Sequence, residues 1–511
     1  MTRNIVLSVG VSFFAKLMVL IQSSVITAVF GANAEVDVLF YMLSLIISVT
    51  TFVSAINQLV MVANLMKVRQ ECPEEAYRAC VGRLLAGWLL LGCALCACFS
   101  LFGRQILSFT SAFGAGALES ALPTVRVMAF VTLLAVVNTY LMDIFTAYRV
   151  FVLPMVNDLL KSALIIAFVL APQGQKSFIL VAWGMLVAYA LQFVILQVQF
   201  KRVSGFFAVP AGRGRAALPR SAGRNTFFTG LTQAATLAET MACLWAISTL
   251  PGGVFTALSL SRRISQTVLN VVVVQFATVV GIELIDYEHR GDREGLARTW
   301  SRYLVLANYL ALPLTAILMV NAGPIIRLLF GYGKFTQADG LVASRTLVLF
   351  ALMLVTTVWD SFLQRLVVAK QLQYRTWGFQ IAQSAIRVAL VLALTWRLGY
   401  MGAPLGLVIG NLLFILMLGA WLLRHDFAFL RVRDALLPSA LNAAFACAAA
   451  GIGTGLLRFY RPEGPAPACL LFVLASSLCM GAAYLLIGQS YHVNRENLRG
   501  ILALLRRRLA R

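Results

Sequence analysis

Long apolar blocks separated by short polar segments recur along this chain. Each block is close to the roughly 20 residues that a helix needs to cross a bilayer. The sequence does not show the ten-residue alternation of apolar and polar residues that is typical of membrane β-strands. The pattern predicts an all-α polytopic membrane protein with fourteen spanning helices, at 5–30, 36–63, 80–103, 124–147, 150–171, 177–200, 227–249, 254–282, 301–322, 342–368, 377–395, 401–424, 437–457 and 467–488.

Composition supports this prediction, because 60% of the 511 residues are hydrophobic and only 12% are charged. Soluble globular domains do not have such a composition. The first block, 5–30, is longer than the apolar region of a signal peptide, and no convincing small-residue cleavage site follows it. We therefore expect this block to be retained as the first span.

The distribution of basic residues then predicts how the helices are oriented across the membrane. The chain has 42 lysine and arginine residues against 20 aspartate and glutamate residues, which gives a formal net charge of +22 at pH 7. The basic residues concentrate on alternate loops, as they do on the cytoplasmic loops of membrane proteins. This distribution argues against a nucleic-acid partner and predicts that both termini lie in the cytoplasm.

One long basic segment, 201–226, divides the predicted helices into two groups. Its glycines, prolines and lack of acidic residues favour a cytoplasmic linker that touches anionic lipid headgroups. We expect a six-helix lobe at 1–200, a second at 227–424, and two additional helices with a basic tail at 425–511, the two lobes surrounding a central cavity. The end of the tail, 497–511, has the pattern of an amphipathic helix lying on the inner leaflet.

The sequence offers little for catalysis or for metal binding. Nine cysteines and three histidines are scattered, and no second pair or nearby histidine accompanies Cys93 and Cys96. There is no phosphate-binding loop of the Walker type and no nucleophile elbow. We therefore expect no enzyme activity, no cofactor and no metal, and a transporter is the class that remains.

The feature most indicative of a site is the pair Arg262 and Arg263 inside the apolar block 254–282. A charge at the centre of a membrane helix costs roughly 2.5–3.5 kcal/mol on insertion scales. By sequence the pair lies about 12–13 Å from the outer end of the block, which is deep for side chains that reach the membrane surface. Because guanidinium groups suit phosphate, we expect at least one of them to bind an anionic ligand in a water-filled cavity.

Other polar residues lie within the predicted spans. In the first span Lys16 is followed six and seven residues later by Gln22 and Ser23, so the three fall near one face of a helix. Asp158 and Lys161, three residues apart, predict a local ion pair with a structural role. Three further residues are candidates for counter-ions or for coupling to an ion, namely Glu239, Asp360 and Arg387.

Two more charges lie near a predicted cytoplasmic helix end. Asp143 and Arg149 fall close to the end of the fourth predicted span. We expect both to be solvated. Glu239 has a different expected partner, because only a short loop separates its helix from the next one, and it is the natural neutraliser of Arg262 or Arg263.

Several motifs resemble those of the MurJ/MviN lipid II flippases, which belong to the multidrug/oligosaccharidyl-lipid/polysaccharide exporter superfamily. The strongest similarity is 330–339, FGYGKFTQAD, followed by Arg345. Further similar positions are Phe30-Gly31-Ala32 with Asp37 and Phe40, Arg149, and Ser261-Arg262-Arg263. The resemblance is spread over most of the chain and implies fourteen spans.

The resemblance also implies a central basic cavity that receives the diphosphate of an undecaprenyl-linked sugar. Arg263 falls on the family's cavity arginine, and Lys16 retains the charge of a first-span arginine. Gln22 and Ser23, however, stand where the family has an Arg-Asp pair, and Ser48 lies where paired arginines are usual. The implied substrate-binding set is therefore Arg263, Arg262, Lys16, Gln22, Ser23 and Asp37.

From this partly neutralised cavity we expect a flippase for an undecaprenyl-diphosphate-linked unit of an exopolysaccharide, capsule or O-antigen. Its expected partners are that lipid-linked glycan, membrane lipids and other polysaccharide assembly proteins. Three alternatives stay open: a lipid II flippase for peptidoglycan synthesis, a cation-coupled small-molecule exporter of the same fold, and a scaffold that does not transport.

Overall fold

The apolar blocks form helices in the computed structural model of the chain, which describes residues 2–148, 150, 152–171, 178–210, 220–269, 275–370, 372–459, 466–489, 491 and 494. All regular secondary structure within these residues is helical. The contacts divide the chain into unit 1, Met1–Leu260 with Tyr332–Asp339, and unit 2, Ser261–Gly331 with Gly340–Arg511.

Unit 1 is built around one helix, α5 (Ala115–Ala147), on which three other helices pack. Its helices are α1 (Thr2–Phe30), α2 (Ala34–Ile56), a π-helix (Asn57–Met61), α3 (Val62–Glu71), α4 (Glu74–Thr110), α5 (Ala115–Ala147), α6 (Val152–Leu170), α7 (Ile179–Ser204), α8 (Arg220–Ser248) and the start of α9 (Val254–Leu269). Helices α2, α4 and α7 all pack on α5, and α6 packs on α1 and α7. Tyr140, Phe145 and Phe200 are fully buried in the core of this unit.

Among the described residues, unit 2 contains the rest of α9, a short 3₁₀ helix (Gly399–Met401) and eight further α-helices. They are α10 (Gln275–Arg290), α11 (Arg293–Val320), α12 (Ala322–Phe330), α13 (Gln337–Ala369, from Gly340 onward), α14 (Gln373–Leu398), α15 (Gly402–His425), α16 (Arg433–Phe459) and α17 (Ala466–Gly488). Trp300, Phe362, Phe414 and Phe427 are buried together in its main core. A second cluster contains Tyr309 and Tyr484, from α11 and α17.

The predicted fold class is confirmed. Helices occupy the positions of the fourteen predicted spans, although the eighth is described only in part. Ten segments of the described residues are long and apolar enough to cross a membrane, and one of them, Arg375–His425, includes most of α14 and all of α15. The hydropathy pattern was sufficient here because a bilayer sets the length of each helix.

Three differences between the described helices and the predicted spans are larger than a shift of a helix end or concern a whole element. The single predicted span at 254–282 is described as α9 and α10, with 270–274 outside the described residues. Helix α4 runs from Glu74 to Thr110, beyond the predicted 80–103, and Phe102 inside it has non-helical angles (φ −115°, ψ 18°). The short helix α12 was not predicted, because nine residues give too weak a periodic signal.

Three predicted features fall on residues that the structure does not describe. These are Arg149, the middle of the linker, 211–219, and the amphipathic tail, 497–511. The end of the linker, from Arg220, is part of α8. The division into lobes at 1–200, 227–424 and 425–511 stays a prediction.

Candidate substrate-binding and coupling residues

The helix that carries the arginine pair, α9, begins at a buried carboxylate. Asp37, in the first turn of α2, is 1% exposed. One carboxylate oxygen accepts hydrogen bonds from the Thr256 backbone N–H (2.8 Å) and hydroxyl (2.5 Å), and the other from the Gly253 N–H (2.7 Å). Asp37 therefore caps the N-terminus of α9, where free N–H groups favour a negative charge.

The turn before α9 requires glycine. Gly253 has a φ of +89°, and a Cβ atom there would lie 2.8 Å from the carbonyl oxygen of Ala32. This close approach brings the Gly253 N–H to Asp37. The prediction that Asp37 binds substrate stays untested, but the contacts described here give it a structural role.

In unit 2, two serines fix the rest of α9 against α13. The Ser261 hydroxyl donates to the carbonyl of Ala343 (2.6 Å) and the Ser265 hydroxyl to that of Phe350 (2.7 Å). Because successive helical residues are rotated by about 100°, Arg263 lies on the face of α9 opposite these two serines. Arg262 and Arg263 are both half-buried. This packing therefore directs the Arg263 side chain away from α13.

The three predicted residues of α1 lie in different environments. Lys16 is exposed, whereas Gln22 is 7% exposed and Ser23 is fully buried. The Ser23 hydroxyl donates to the carbonyl of Val19 (3.0 Å), so it satisfies its own hydrogen bond within the helix. In unit 1, therefore, Lys16 is the most accessible of the three predicted α1 residues.

Lys16 lies close to a charged cluster on neighbouring helices. The Lys161 ammonium pairs with the Asp158 carboxylate at 2.8 Å, and Gln192 Nε2 donates to the same carboxylate oxygen at 3.1 Å. The charge of Lys16 also acts on Asp158. Asn138 in turn donates to the side-chain oxygen of Gln192 (3.3 Å). The predicted ion pair is present, and Gln192 links it by hydrogen bonds to Asn138.

The expectation that Asp143 is solvated was wrong. Its side chain is buried (5% exposed), and it accepts three hydrogen bonds of 3.0 Å, from Ser54, Asn57 and Gln58. Asn57 also accepts from the Trp88 indole N–H at 3.0 Å. Asn57 and Gln58 open the π-helix, a local rearrangement that is frequent at functional sites. Sequence reasoning missed this cluster because Asp143 lies more than 80 residues away in sequence from the three side chains that donate to it.

In unit 2 the structure brings together two of the three predicted coupling residues. Asp360 on α13 lies within electrostatic reach of Arg387 on α14. The Arg387 guanidinium donates to the side-chain oxygen of Asn411 on α15. Helices α14 and α15 approach closely there, since a Cβ atom on Gly410 would lie 2.6 Å from Cγ of Arg387. Glu239, the third residue, belongs to unit 1 and is buried.

The motif FGYGKFTQAD forms a structural element. Thr336 donates its backbone N–H (3.0 Å) and hydroxyl (2.7 Å) to the Asp339 carboxylate, while the Asp339 N–H donates to the Thr336 hydroxyl (3.2 Å). These reciprocal bonds cap the start of α13. The Lys334 N–H also donates to the carbonyl of Ala28, near the end of α1, at 3.0 Å. Arg345, after the motif, donates to the Tyr400 hydroxyl at 3.0 Å.

Among the described residues, no group of three or more histidine, cysteine, aspartate and glutamate side chains is placed to hold a metal ion. The positively charged candidates are Arg262 and Arg263 in unit 2, and Lys16 and Lys161 in unit 1.

Comparison with known proteins gives one family over most of the chain. The sequence model described as lipid II flippase MurJ matches residues 21–467. A probable lipid II flippase MurJ of Bdellovibrio bacteriovorus is 27% identical over 265 residues, 49% of this chain and 48% of that protein. One of Rhizobium meliloti is 32% identical over 106 residues, 21% of this chain and 20% of that protein. The matches thus span about half the length of the first relative and a fifth of the second.

Solved structures share the fold. A lipid II flippase MurJ in an inward closed conformation superposes with a TM-score of 0.76 at 16% identity, covering 95% of this chain and 99% of that chain. An inward-facing multidrug resistance transporter of the MATE family gives 0.69 at 14% identity, covering 85% of this chain and 98% of that one. At these identities the likeness establishes the architecture.

Proposed function

This chain belongs to the MurJ family, and we propose that it moves a polyprenyl-diphosphate-linked glycan from the cytoplasmic to the periplasmic face of the bacterial inner membrane. The observation that carries the proposal is the adjacent pair Arg262 and Arg263 in α9. Two guanidinium groups in a membrane helix are costly without a compensating anion, and guanidinium groups bind phosphate oxygens through paired N–H donors.

The proposed division of roles follows the sequence prediction. Arg263, with Arg262 and Lys16, binds the diphosphate, and Gln22, Ser23 and Asp37 complete the proposed substrate-binding set. Glu239, Asp360 and Arg387 act as counter-ions or in coupling. We also propose the two lobes, the central cavity between them and both termini in the cytoplasm, as the sequence predicts.

The direction of transport agrees with membrane electrostatics. Moving one elementary charge across the membrane changes its electrostatic free energy by about 2.3 kcal/mol for every 100 mV of membrane potential. Because the cytoplasm is the negative side, an anionic substrate is driven outward. A membrane potential therefore favours export of a diphosphate-linked glycan even without an ion gradient.

Two substrates have support. The relatives carry the name lipid II flippase, and this favours a precursor of peptidoglycan. The second candidate is a repeat unit of an exopolysaccharide, capsule or O-antigen, which would bring polysaccharide assembly proteins as partners. One observation favours it: Gln22, Ser23 and Ser48 are neutral where the resemblance implies charged groups.

Genetic complementation separates the two substrates. The intact chain would be expressed in a bacterium depleted of its own lipid II flippase, and in the source strain its gene would be deleted. Survival of the depleted strain supports lipid II, whereas loss of surface polysaccharide on deletion with no rescue of the depleted strain supports the second substrate. Resistance to drugs on overexpression, with neither of these effects, would point to a small-molecule exporter and refute the proposal.

A set of variants tests the site and the rival scaffold role. Arg263→Ala should abolish the complementing activity at a normal protein level, and Arg397→Ala, an exposed arginine at the end of α14, is the matched control. Export of surface polysaccharide that persists after replacement of Arg262, Arg263 and Lys16 together, yet is lost on deletion of the gene, would mean that the protein acts as a scaffold.

A further inference from the structure

Unit 2 contains a basic cavity that none of the predicted site residues lines. Its volume is about 810 Å³, and it lies between the first turns of α11 and α16 and the segment that precedes α16. Four arginines line it: Arg293, Arg298, Arg302 and Arg431. The sequence predicts that both of these helix starts lie on the cytoplasmic side, so the cavity falls at the level of the inner leaflet.

The walls of this cavity are held in place by the core of unit 2. Trp300, which lines the cavity, is 1% exposed and donates its indole N–H to the carbonyl of Phe362 at 3.3 Å. The segment before α16 is anchored by Lys370, whose ammonium donates to the carbonyl of Asp426 at 2.6 Å and lies 4.5 Å from the centre of the Phe427 ring. The cavity is therefore a formed feature, with walls that do not depend on a ligand.

The lining has a surplus of positive charge. Two acids, Glu294 and Asp434, also line the cavity, so the four arginines exceed the acids by two. Glu294 pairs with Arg298 at 3.1 Å, but both side chains are more than 70% exposed, and such a pair contributes little. Both helix starts add partial positive charge, which favours an anion at this position.

Apolar residues adjoin the arginines. Leu436 and Leu437, in the first turn and a half of α16, are 51% and 54% exposed, and Pro438 after them lines the cavity. Exposed leucines beside a basic cavity match a ligand with a charged head and apolar chains. Phospholipids have this form, and basic pockets on the cytoplasmic side of membrane helices bind their phosphate headgroups.

We propose that this cavity binds the phosphate headgroup of an anionic membrane phospholipid, with the acyl chains lying along Leu436 and Leu437. Arg298 and Arg431 supply forked N–H donors to the phosphate oxygens. This site is separate from Arg262 and Arg263, and it does not depend on which glycan the protein moves.

Native mass spectrometry of the full-length protein in lipid nanodiscs tests the proposal. Phosphatidylglycerol is titrated against phosphatidylcholine, and bound lipid is counted on the intact protein and on the double variant Arg298→Gln/Arg431→Gln. We expect preferential binding of phosphatidylglycerol by the intact protein and an affinity about tenfold or more lower in the double variant, since each basic residue near an anionic lipid contributes severalfold.

A matched control keeps the test specific. Arg424→Gln removes an exposed arginine from the last turn of α15, close in sequence to the cavity but not part of its lining, and should leave the binding unchanged. Equal affinity of the intact protein and the double variant for phosphatidylglycerol would overturn the proposal. Tighter binding of undecaprenyl diphosphate or of inorganic phosphate than of phosphatidylglycerol, lost in the same double variant, would overturn the assignment to a phospholipid.

Discussion

Replacement of Asp37 by alanine should destabilise unit 1. The change removes the acceptor of three hydrogen bonds, from the Gly253 N–H and from the N–H and hydroxyl of Thr256. Loss of an N-cap costs about 0.5–2 kcal/mol, and each buried donor left without a partner costs about 1–3 kcal/mol. Because the three donors share one carboxylate and can partly relax, we expect a total of about 3 kcal/mol.

Asp37→Asn should be milder, because one amide oxygen still accepts the bonds from Thr256. The loss should then be about 1–2 kcal/mol, since the Gly253 N–H faces the new amide N–H₂ group. The assay is the midpoint of thermal unfolding of the purified protein in detergent, followed by tryptophan fluorescence. For a unit of this size, 1 kcal/mol corresponds to about 2–4 °C, so Asp37→Ala should lower the midpoint by about 6–12 °C.

Glu35→Ala is the matched control, because Glu35 lies in the same first turn of α2 but is exposed. Its midpoint should stay within about 1–2 °C of that of the unchanged protein, as for most surface substitutions. An unchanged midpoint for Asp37→Ala would refute the capping argument. Full stability of Asp37→Asn combined with complete loss of transport would instead support the predicted role of Asp37 in substrate binding.

Three further substitutions test other parts of the structure by the same thermal assay. Asp143→Leu should lower stability by about 1–3 kcal/mol by leaving the buried Asn57 amide without an acceptor, and Asp143→Asn should cost less; equal effects would contradict the bonding described. Lys161→Met should cost about 2 kcal/mol by leaving the Asp158 charge uncompensated, and Lys161→Met/Asp158→Leu should recover most of it; no recovery would contradict the pairing. Asp339→Ala should cost about 1 kcal/mol through loss of the α13 cap, and a loss under about 0.3 kcal/mol would contradict that role.

Much of the architecture could be predicted from the sequence, because the bilayer imposes one dominant length on every apolar block. The capping pair Thr336 and Asp339 could also be predicted from the sequence, since a threonine three residues before an acid at a helix start is a local capping signal. The structural roles of Asp37 and Asp143 could not be predicted from a local pattern of this kind. Their partners lie more than 200 and more than 80 residues away in sequence, so their roles depend on packing that no local pattern encodes.

The candidate site was predictable in part for the same reason. The cost of charge in lipid singled out Arg262 and Arg263, Lys16, and the pair Asp158 and Lys161 without knowledge of the fold. Their neutral partners, such as Gln192, carried no such signal. The arginine cavity of unit 2 was also missed, because basic residues near predicted helix ends are typical of orientation signals.

Binding of undecaprenyl diphosphate to the purified protein tests the central claim most directly. The intact protein should bind this lipid far more tightly than undecaprenol, which lacks phosphate. Arg263→Gln should weaken the binding about tenfold or more, as expected for loss of a charge-assisted hydrogen bond, and Arg397→Gln should not. Equal affinity for the lipid with and without its diphosphate, unchanged by Arg263→Gln, would contradict the account.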